Sequence, residues 1–388
     1  MTDKKICVYA ICKNESKFIS QWLDNMSEAD YIVVLDTGST DGTFELLKED
    51  PRVTRVEQKI INPWRFDVAR NESLKMVPDD FDICVCTDLD EIFEKGWRKK
   101  LEKVWKNGWC QVLRDNWEDA DTRCHYTYAW SHNIDGEPTD VFMYDKIHTK
   151  GYHWKFPVHE VLAKDDPDSE EFVLNAGENI YLHHFPDTSK PRSSYLNLLK
   201  LAVKENPTES HVSSLLAREY ILRDDIKNAI KQYLTTLKYE DINTPEKNGI
   251  KLDCFGHLGD CYFMQAEYDE AIKWYNEWIA IDPTYREPYF CIADIYIAKK
   301  LYSVAIGYID MGIKFGVRKF DWLERFDNWI TKAEDMLAIC YYYMQNIDLA
   351  YDNIVKAYDH NKSDSRIIEN YKTILFARET GIYYPTVI

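Results

Sequence analysis

The sequence of 388 residues predicts two domains: an α/β domain with a mostly parallel, Rossmann-like sheet over residues 1–188, and an all-α repeat solenoid over residues 189–388. Strand-like apolar runs alternate with amphipathic helical segments up to about residue 186. This alternation is typical of a parallel sheet with helices on both faces. From about residue 190 the pattern is helical throughout and repeats, which indicates a stack of similar helix pairs.

Four apolar runs in the first part of the chain have the length and composition of buried strands. They span residues 6–11, 31–35, 53–56 and 81–87. Helical segments separate them, at residues 18–23, 44–47 and 66–76. In such sheets ligands bind beyond the carboxyl ends of the strands. The polar residues that follow the first, second and fourth strands are therefore the candidates for a binding site.

The helical part of the chain places small and aromatic residues in recurring positions. The two middle copies contain Leu258, Gly259, Tyr262, Ala271, Tyr275 and Pro283, followed by Ala293, Tyr296 and Ala305; looser copies contain Ala217, Tyr220, Ala229 and Tyr233, and Ala338, Tyr341, Ala350 and Ile354. This is the spacing of a tetratricopeptide repeat, in which small residues let paired helices approach closely. Longer spacings predict insertions near residues 241–251 and 314–327, and a linker rich in Pro, Ser and Asp is expected at residues 186–194.

Composition limits the partners and the compartment. The formal net charge of −18 makes nucleic acid and bare anionic membrane poor partners, so a phosphate-bearing ligand would need a bound cation or a few well-placed basic side chains. The N-terminus lacks a long apolar segment, and no run of 18 apolar residues occurs, so we expect neither a signal peptide nor a transmembrane segment. Ten cysteines without a CxxC pair are typical of reduced, buried thiols rather than a zinc site, which predicts a cytoplasmic protein.

An acidic cluster follows the fourth strand. Asp88 and Asp90 flank one apolar residue, so both carboxylates could face a cation. Mg²⁺ and Mn²⁺ favour carboxylate oxygens and usually bind a substrate's phosphates at the same time. A divalent cation here would stabilise a diphosphate as a leaving group. The alternative is a solvated acidic turn, since acidic pairs of this spacing are common.

A second polar cluster, residues 36–43, follows the second strand. The carboxylate of Asp36 could accept hydrogen bonds from a nucleobase or a ribose. Ser39 or Asp41 could cap the next helix, and turn-and-cap chemistry alone would explain the same residues.

Two further candidates for donor binding are the turn after the first strand and one basic residue. The turn contains Lys13, Asn14 and Glu15. Arg70 lies on a predicted helix, and arginine is well shaped for bidentate phosphate contacts. A solvated surface arginine is the alternative.

Two histidine-containing segments come late in the first domain. Glu160 or the adjacent His159 could deprotonate an acceptor hydroxyl, and His183 or His184 could complete a metal shell. If both pairs lie on strands, neighbouring side chains point to opposite faces, and at most one of each pair enters the site.

Aromatic residues are frequent between residues 105 and 145. Their rings could stack on sugar faces, although a core position is the expectation for at least half of them. The residues concerned are Trp117, Tyr126, Tyr128 and Trp130.

The order of these clusters resembles the family 2 glycosyltransferases of GT-A fold. Four ordered motifs carry the resemblance, which covers residues 5–186: Ala10-Ile11-Cys12-Lys13-Asn14-Glu15, then Val34-Leu35-Asp36-Thr37-Gly38-Ser39-Thr40-Asp41-Gly42-Thr43, then Phe66 and Ala69-Arg70-Asn71, then Asp88-Leu89-Asp90-Glu91. The later Val158-His159-Glu160 and His183-His184 segments look like the branch of that family that continues into tetratricopeptide repeats. That branch includes bacterial surface-polysaccharide-type enzymes and peptide S-glycosyltransferases.

The resemblance implies an inverting transfer from a nucleotide-diphosphate sugar, a UDP-sugar in the first place, to a glycan or peptide acceptor with Mn²⁺ or Mg²⁺ as cofactor. It implies a donor-binding set of Ala10, Asn14, Glu15, Asp36, Ser39, Asp41, Arg70 and Asp88. Asp90 would hold the metal with Asp88 nearby and His184, or His183, as a further ligand. Glu160 lies about where the catalytic base is expected, and His159 is the second candidate. The second motif of the family usually contains Asp-Asp, whereas this chain has Asp36-Thr37. Which residue contacts the nucleobase is therefore left open.

Two other functions fit parts of the sequence. A scaffold protein could act through its repeats with a degenerate catalytic domain, but Asp36, Arg70, Asp88 and Asp90 are all present. A nucleotidyltransferase would need a glycine-rich loop after the first strand, whereas this chain has Cys12-Lys13-Asn14-Glu15-Ser16. The repeats could hold an acceptor, a partner, or a second copy of the chain in a homodimer.

Overall fold

The computed structural model describes residues 4–111, 120–133, 136–187, 194–239, 248–319, 321–325 and 327–384. The chain forms two compact units, Met1–Asn206 and Pro207–Ile388. The first helix of the segment assigned to the repeats, α5 (Tyr195–Glu205), is part of the first unit. There its Tyr195 ring lies against Phe66 and His159.

The described residues of the first unit form a mixed sheet of eight strands with the order β3-β2-β1-β4-β7-β6-β10-β5. Six of these strands run in one direction, and β7 and β5 are antiparallel to their neighbours, which confirms a mostly parallel sheet. The strands are β1 (Ile6–Cys12), β2 (Tyr31–Asp36), β3 (Arg55–Gln58), β4 (Ile83–Cys86), β5 (Glu91–Phe93), β6 (Asp121–Ala129), β7 (Val141–His148) and β10 (Glu171–His184). A separate hairpin joins β8 (Tyr152–Lys155) to β9 (Val161–Lys164).

Burial on both faces explains why β1 is a continuous apolar run. Its alternate residues belong to two cores, with Ile6, Val8 and Ala10 on one side and Cys7, Tyr9 and Ile11 on the other. Helices that flank the sheet are α1 (Ile19–Met26), α2 (Thr43–Glu49), α3 (Phe66–Leu74) and α4 (Trp97–Gln111). The first core takes Trp22 and Leu23 from α1, and the second takes Ala69 from α3.

The predicted third strand is shifted. Residues 53–56 were expected from their apolar content, whereas β3 is Arg55–Gln58 and is largely exposed. β3 is an edge strand, and its position follows from its backbone pairing with β2, in which Val33 lies opposite Arg55 and Asp36 opposite Gln58. An edge strand needs little apolar surface, so composition misplaced its ends.

The second unit is helical and confirms the repeats. Its helices are α6 (Ser210–Ile221), α7 (Ile226–Tyr239), α8 (Asn248–Met264), α9 (Tyr268–Ile281), α10 (Glu287–Ala298), α11 (Tyr302–Phe315), α12 (Asp327–Ile330), α13 (Lys332–Tyr343), α14 (Ile347–His360) and α15 (Ser365–Thr380). The recurring alanines are fully buried where paired helices meet. No described helix is both long and apolar enough to cross a membrane.

The two predicted insertions are only partly visible. Residues 240–247 lie outside the described residues, and α8 begins directly after them. The described part of the second insertion is tied to the repeats by ion pairs, since Lys319 contacts Asp282 and Arg325 lies 2.9 Å from Asp260.

Candidate active site

The loops that follow β1 and β2 interlock. The backbone N–H of Asn14 donates to Oγ of Ser39 at 2.8 Å, and the amide oxygen of Asn14 accepts from the N–H of Thr40 at 2.8 Å. The carboxylate of Asp41 accepts from the N–H of Ser16 at 3.2 Å. The N–H of Glu15 likewise donates to the neighbouring loop, at the hydroxyl of Thr43. Four of the predicted donor-binding residues, Asn14, Glu15, Ser39 and Asp41, therefore lie together at one edge of the sheet.

Asp36 is fully buried at the end of β2. Its Oδ1 accepts from the N–H groups of Gly38 and Ser39, both at 2.9 Å, and from the side-chain amide of Gln58 at 3.0 Å. Burial raises the pKa of this carboxyl, but the hydrogen bonds outweigh burial and hold the pKa below its usual value. Gly38 has φ of 107°, a conformation that favours glycine. The carboxylate thus shapes the turn, and its contact with a nucleobase stays a prediction.

Ala10 has no exposed surface, and its side chain packs in the core cluster behind the two loops. Its backbone lies opposite Val34 of β2. A role of Ala10 in lining a nucleoside pocket stays a prediction.

A chain of alternating charges runs across the carboxyl end of β4. Arg70 donates to Glu160 and, at 3.0 Å, to Asp88. Lys146 lies 3.3 Å from the same carboxylate of Asp88 and 2.8 Å from Oε1 of Glu91. Three carboxylates and two cations therefore form one connected network.

The members of this network come from different elements of the fold, which converge at the carboxyl end of β4. Arg70 lies on α3, Lys146 on β7 and Glu91 on β5. Glu91 also accepts the N–H of Asp88 at 2.8 Å, which closes the acidic turn. The two cations are nearly inaccessible to water, with side-chain exposures of 5% for Arg70 and 6% for Lys146.

The network keeps Asp88 and Lys146 charged. Burial raises the pKa of Asp88, but the charges of Arg70 and Lys146 outweigh burial and hold that pKa well below its usual value. Burial lowers the pKa of Lys146, while Asp88 and Glu91 together raise it well above its usual value. Asp88 is therefore an ionised carboxylate whose charge is already compensated by two protein cations.

Asp90 has different neighbours. Its Oδ2 lies 3.5 Å from Nε2 of His184, whose Nδ1 lies 3.2 Å from the carbonyl oxygen of Trp130. Because a carbonyl can only accept, Nδ1 of His184 carries the hydrogen. Burial lowers the pKa of His184, but the hydrogen bond and charge of Asp90 outweigh burial and raise it. His184 therefore faces Asp90 either as an imidazolium or, when neutral, with a lone pair.

A neutral imidazole nitrogen and a carboxylate oxygen that face each other are both groups that can coordinate a metal cation. Two ligands at right angles around a small divalent ion lie about 3 Å apart, close to the spacing of the Asp90 and His184 atoms. The hydrogen bond to the Trp130 carbonyl is the kind that orients metal-binding histidines. Within the described part of the chain, no group of three or more His, Cys, Asp and Glu residues is placed to hold a metal. Asp90 and His184 are two groups of a kind that can bind a cation, and their role as metal ligands stays a prediction.

His183 does not join this pair. Its Nδ1 lies 2.9 Å from Nε2 of His132, on the other side of β10. The alternation of a strand separates the two histidines as expected, and it is His184 that lies beside Asp90.

His159 and Glu160 are not on a strand, so the alternation considered for this pair does not apply to it. They lie in the turn between β8 and β9, where Phe156 and His159 have φ values of 81° and 51°. The turn directs Glu160 to Arg70, while His159 is exposed and lies 5.7 Å from the Tyr195 ring. Of the two, Glu160 is the one that reaches the charge network.

Family models match both parts of the chain. Residues 7–160 match the model described as glycosyl transferase family 2. Over these residues the chain is similar to the family 2 glycosyltransferases. A second model, described as a TPR repeat, matches residues 259–300. The glycosyltransferase match contains Asp36, Arg70, Asp88, Asp90 and Glu160, and it ends before His184.

Solved structures similar to this chain are tetratricopeptide-repeat proteins. A thermophilic TPR protein from Thermus thermophilus is 18% identical, with a TM-score of 0.36, over 47% of this chain and 90% of that chain. A repeat protein from Parabacteroides merdae is 17% identical, with a TM-score of 0.38, over 48% of this chain and 67% of that chain. Part of a repeat protein from Cytophaga hutchinsonii is 16% identical, with a TM-score of 0.39, over 49% of this chain and 67% of that chain. No curated protein matches the chain.

Sequence reasoning missed two members of the charge network, Lys146 and Glu91. Glu91 was treated only as part of the acidic motif. Lys146 lies in strand β7 between Asp145 and Ile147, and a lysine inside a strand could have been flagged as needing a carboxylate if buried. Its partners come from residues 88 and 91, so only the sheet order identifies them.

The predicted aromatic residues divide as expected. Tyr126 and Tyr128 are buried, and the hydroxyl of Tyr128 donates to Glu91 at 2.7 Å. Trp130 is 47% exposed. Trp117 lies outside the described residues.

Proposed function

We propose that this chain is a metal-dependent, inverting glycosyltransferase that transfers a hexose or related sugar from a nucleotide-diphosphate sugar, in the first place a UDP-sugar, to a glycan or peptide acceptor. The observation that carries the proposal is the pair of Asp90 and His184, whose facing atoms are 3.5 Å apart. The family match supports sugar transfer in general.

Asp88 and Asp90 would have different roles in binding the donor. Asp90 and His184 would hold Mg²⁺ or Mn²⁺, which when bound compensates the charge that develops on a departing diphosphate. Asp88 already has Arg70 and Lys146 as counter-ions, so it is a weaker candidate as a metal ligand. Its remaining exposed surface, one third of the side chain, suits hydrogen bonds from ribose hydroxyls.

Glu160 is proposed as the catalytic base. An acceptor hydroxyl, amine or thiol would lose its proton to Glu160 while its heteroatom bonds to the anomeric carbon and the bond from that carbon to the diphosphate breaks. One such displacement inverts the anomeric configuration. Arg70 pairs with both Glu160 and Asp88, which supports a base close to the proposed donor site. His159 is the second candidate, because it is adjacent to Glu160. It ranks below Glu160 because its side chain is exposed.

The interlocked loops after β1 and β2 are proposed to bind the nucleoside. Asn14, Glu15, Ser39 and Asp41 cross-link the two loops at the edge where parallel-sheet enzymes bind nucleotides. Asp36 stabilises the second loop, because its carboxylate accepts hydrogen bonds from the N–H groups of Gly38 and Ser39.

The proposal is tested by calorimetric titration of the full chain with nucleotide diphosphates and nucleotide sugars, with and without Mn²⁺. Micromolar binding of one nucleotide sugar that depends on the metal supports it. A folded protein that binds none of them contradicts it and favours the scaffold function, in which the repeats are the active part.

A further inference from the structure

We propose that the indole of Trp130 is the platform on which a pyranose ring stacks. The inference rests on the proposed function and deepens it, because it assigns a sugar subsite. The side chain of Trp130 lies 4.6 Å, between ring centroids, from His184 and 6.2 Å from Tyr128. It is nevertheless 47% exposed.

The position of Trp130 is determined by its backbone. Its N–H donates to the carbonyl of Asp140 at 2.8 Å across the β6–β7 hairpin, and its own carbonyl accepts from His184. These hydrogen bonds hold the backbone of Trp130 beside His184, and a side-chain substitution leaves them in place. The ring itself packs against the imidazole of His184. An exposed indole in a fixed position presents a flat apolar face at little entropic cost.

The hairpin that carries the indole also carries polar side chains. The hydroxyls of Ser131 and Thr139 lie 2.6 Å apart on the same hairpin, and the carboxylate of Asp140 accepts from Ser131. A pyranose has one face of C–H groups and a rim of hydroxyls, so it needs an apolar plane with hydrogen-bonding groups at its edge. The described arms of this hairpin supply both.

Proximity to the proposed metal pair restricts the occupant. The sugar of the donor is bonded to the diphosphate, and the acceptor must come to the same anomeric carbon, so either ring would lie close to Asp90 and His184. A nucleobase would lie at the loops after β1 and β2. The occupant is therefore a sugar ring of the donor or the acceptor, and the two sources are distinguishable.

The test compares wild type, Trp130→Phe and Trp130→Leu by calorimetric titration with a nucleotide diphosphate and with the matching nucleotide sugar. For a donor ring, Trp130→Leu should weaken nucleotide-sugar binding about three- to tenfold, the size of one aromatic contact, and leave nucleotide-diphosphate binding unchanged. Trp130→Phe should keep most of the affinity. For an acceptor ring, donor binding stays intact and the KM for the acceptor rises by the same factor in Trp130→Leu.

Trp322→Leu is the matched control, since Trp322 is also 47% exposed but belongs to the second unit. Unchanged affinity and unchanged acceptor KM in a folded Trp130→Leu protein overturn the inference and leave the proposed function intact. A wild-type protein that binds no nucleotide sugar overturns the proposed function and this inference with it. Equal losses for the diphosphate and the sugar donor also overturn it, because stacking on a sugar would not affect the diphosphate.

Discussion

Nζ of Lys146 lies 2.8 Å from Oε1 of Glu91, and the two side chains expose only 6% and 1% of their surface. This buried pair connects the antiparallel strand β7 to the acidic turn that contains Asp88 and Asp90. Burying charges is costly unless they are paired, so the geometry of the turn depends on a residue 55 positions away from Glu91 in the sequence.

Lys146→Met should therefore destabilise the protein strongly, because it leaves Glu91 and Asp88 short of a counter-ion. Removing one partner of a buried pair costs about 3–5 kcal/mol in the free energy of unfolding. Urea unfolding measures the loss. Lys150→Met is the control, since Lys150 pairs with the fully exposed Asp79 and should lose less than about 1 kcal/mol. Equal losses in the two variants would show that the network contributes little.

Asp90→Asn and His184→Gln should remove the effect of Mn²⁺ on nucleotide binding, because each takes away one of the two proposed ligands. We expect the metal-dependent part of the affinity to fall at least about tenfold, as measured by titration with and without Mn²⁺. His183→Gln, one residue along the chain and paired with His132, should behave like wild type. Metal dependence that survives in Asp90→Asn would place the cation elsewhere.

Glu160→Gln should slow transfer by about 10²–10⁴-fold and leave donor binding intact, as expected for loss of a general base. Single-turnover transfer measures the rate, and titration measures donor affinity. His159→Gln is the neighbouring control and should keep nearly full activity, since that side chain is exposed. If the two variants exchange these results, His159 is the base.

His257 in the helical unit should titrate far above an ordinary histidine. It lies between Asp253 and Asp260, 3.2 Å and 3.7 Å away. Burial lowers its pKa, but Asp253 and Asp260 outweigh burial and raise the pKa to about 9. Histidine proton resonances followed from about pH 6 to pH 10, assigned with His257→Gln, measure this value directly.

The same shift predicts how stability depends on pH. A folded-state pKa above the unfolded value means that the stabilisation is complete below about pH 6.5 and is lost as the pH rises through about 9. The difference in unfolding free energy between wild type and His257→Gln should thus shrink by roughly 3 kcal/mol between about pH 6 and pH 10. A difference independent of pH would contradict the assignment.

Gly259→Ala should destabilise the repeats, since an added Cβ would lie 2.4 Å from Cε1 of the buried Tyr275. Overpacking of this kind costs about 1–3 kcal/mol, which thermal unfolding would detect. Gly307→Ala is the matched control. Apart from its chain neighbours and the backbone of its own helix, nothing in the described part of the chain lies within 4 Å of its Cβ position on α11, so the substitution should stabilise by up to about 1 kcal/mol.

Local pattern determined a large part of this protein. β1 and β2 were predictable because strands buried on both faces must be apolar throughout. The repeats were predictable because close helix pairing demands small residues at fixed spacing, as at Ala271 and Ala305. The grouping of Asn14 with Ser39 followed from the rule that neighbouring parallel strands end at one edge.

Only the tertiary structure decided which charges meet. Arg70 and Lys146 contact Asp88 from separate elements, and Arg70 also binds Glu160. No spacing in the sequence predicts this arrangement, because it depends on the order of the strands in the sheet. The choice of His184 over His183 depends on the pleat of β10, and the exposure of Trp130 depends on the hairpin that carries it. Periodicity reports burial along one element, whereas contacts between distant elements depend on how the elements pack, and the residues of this site belong to that second class.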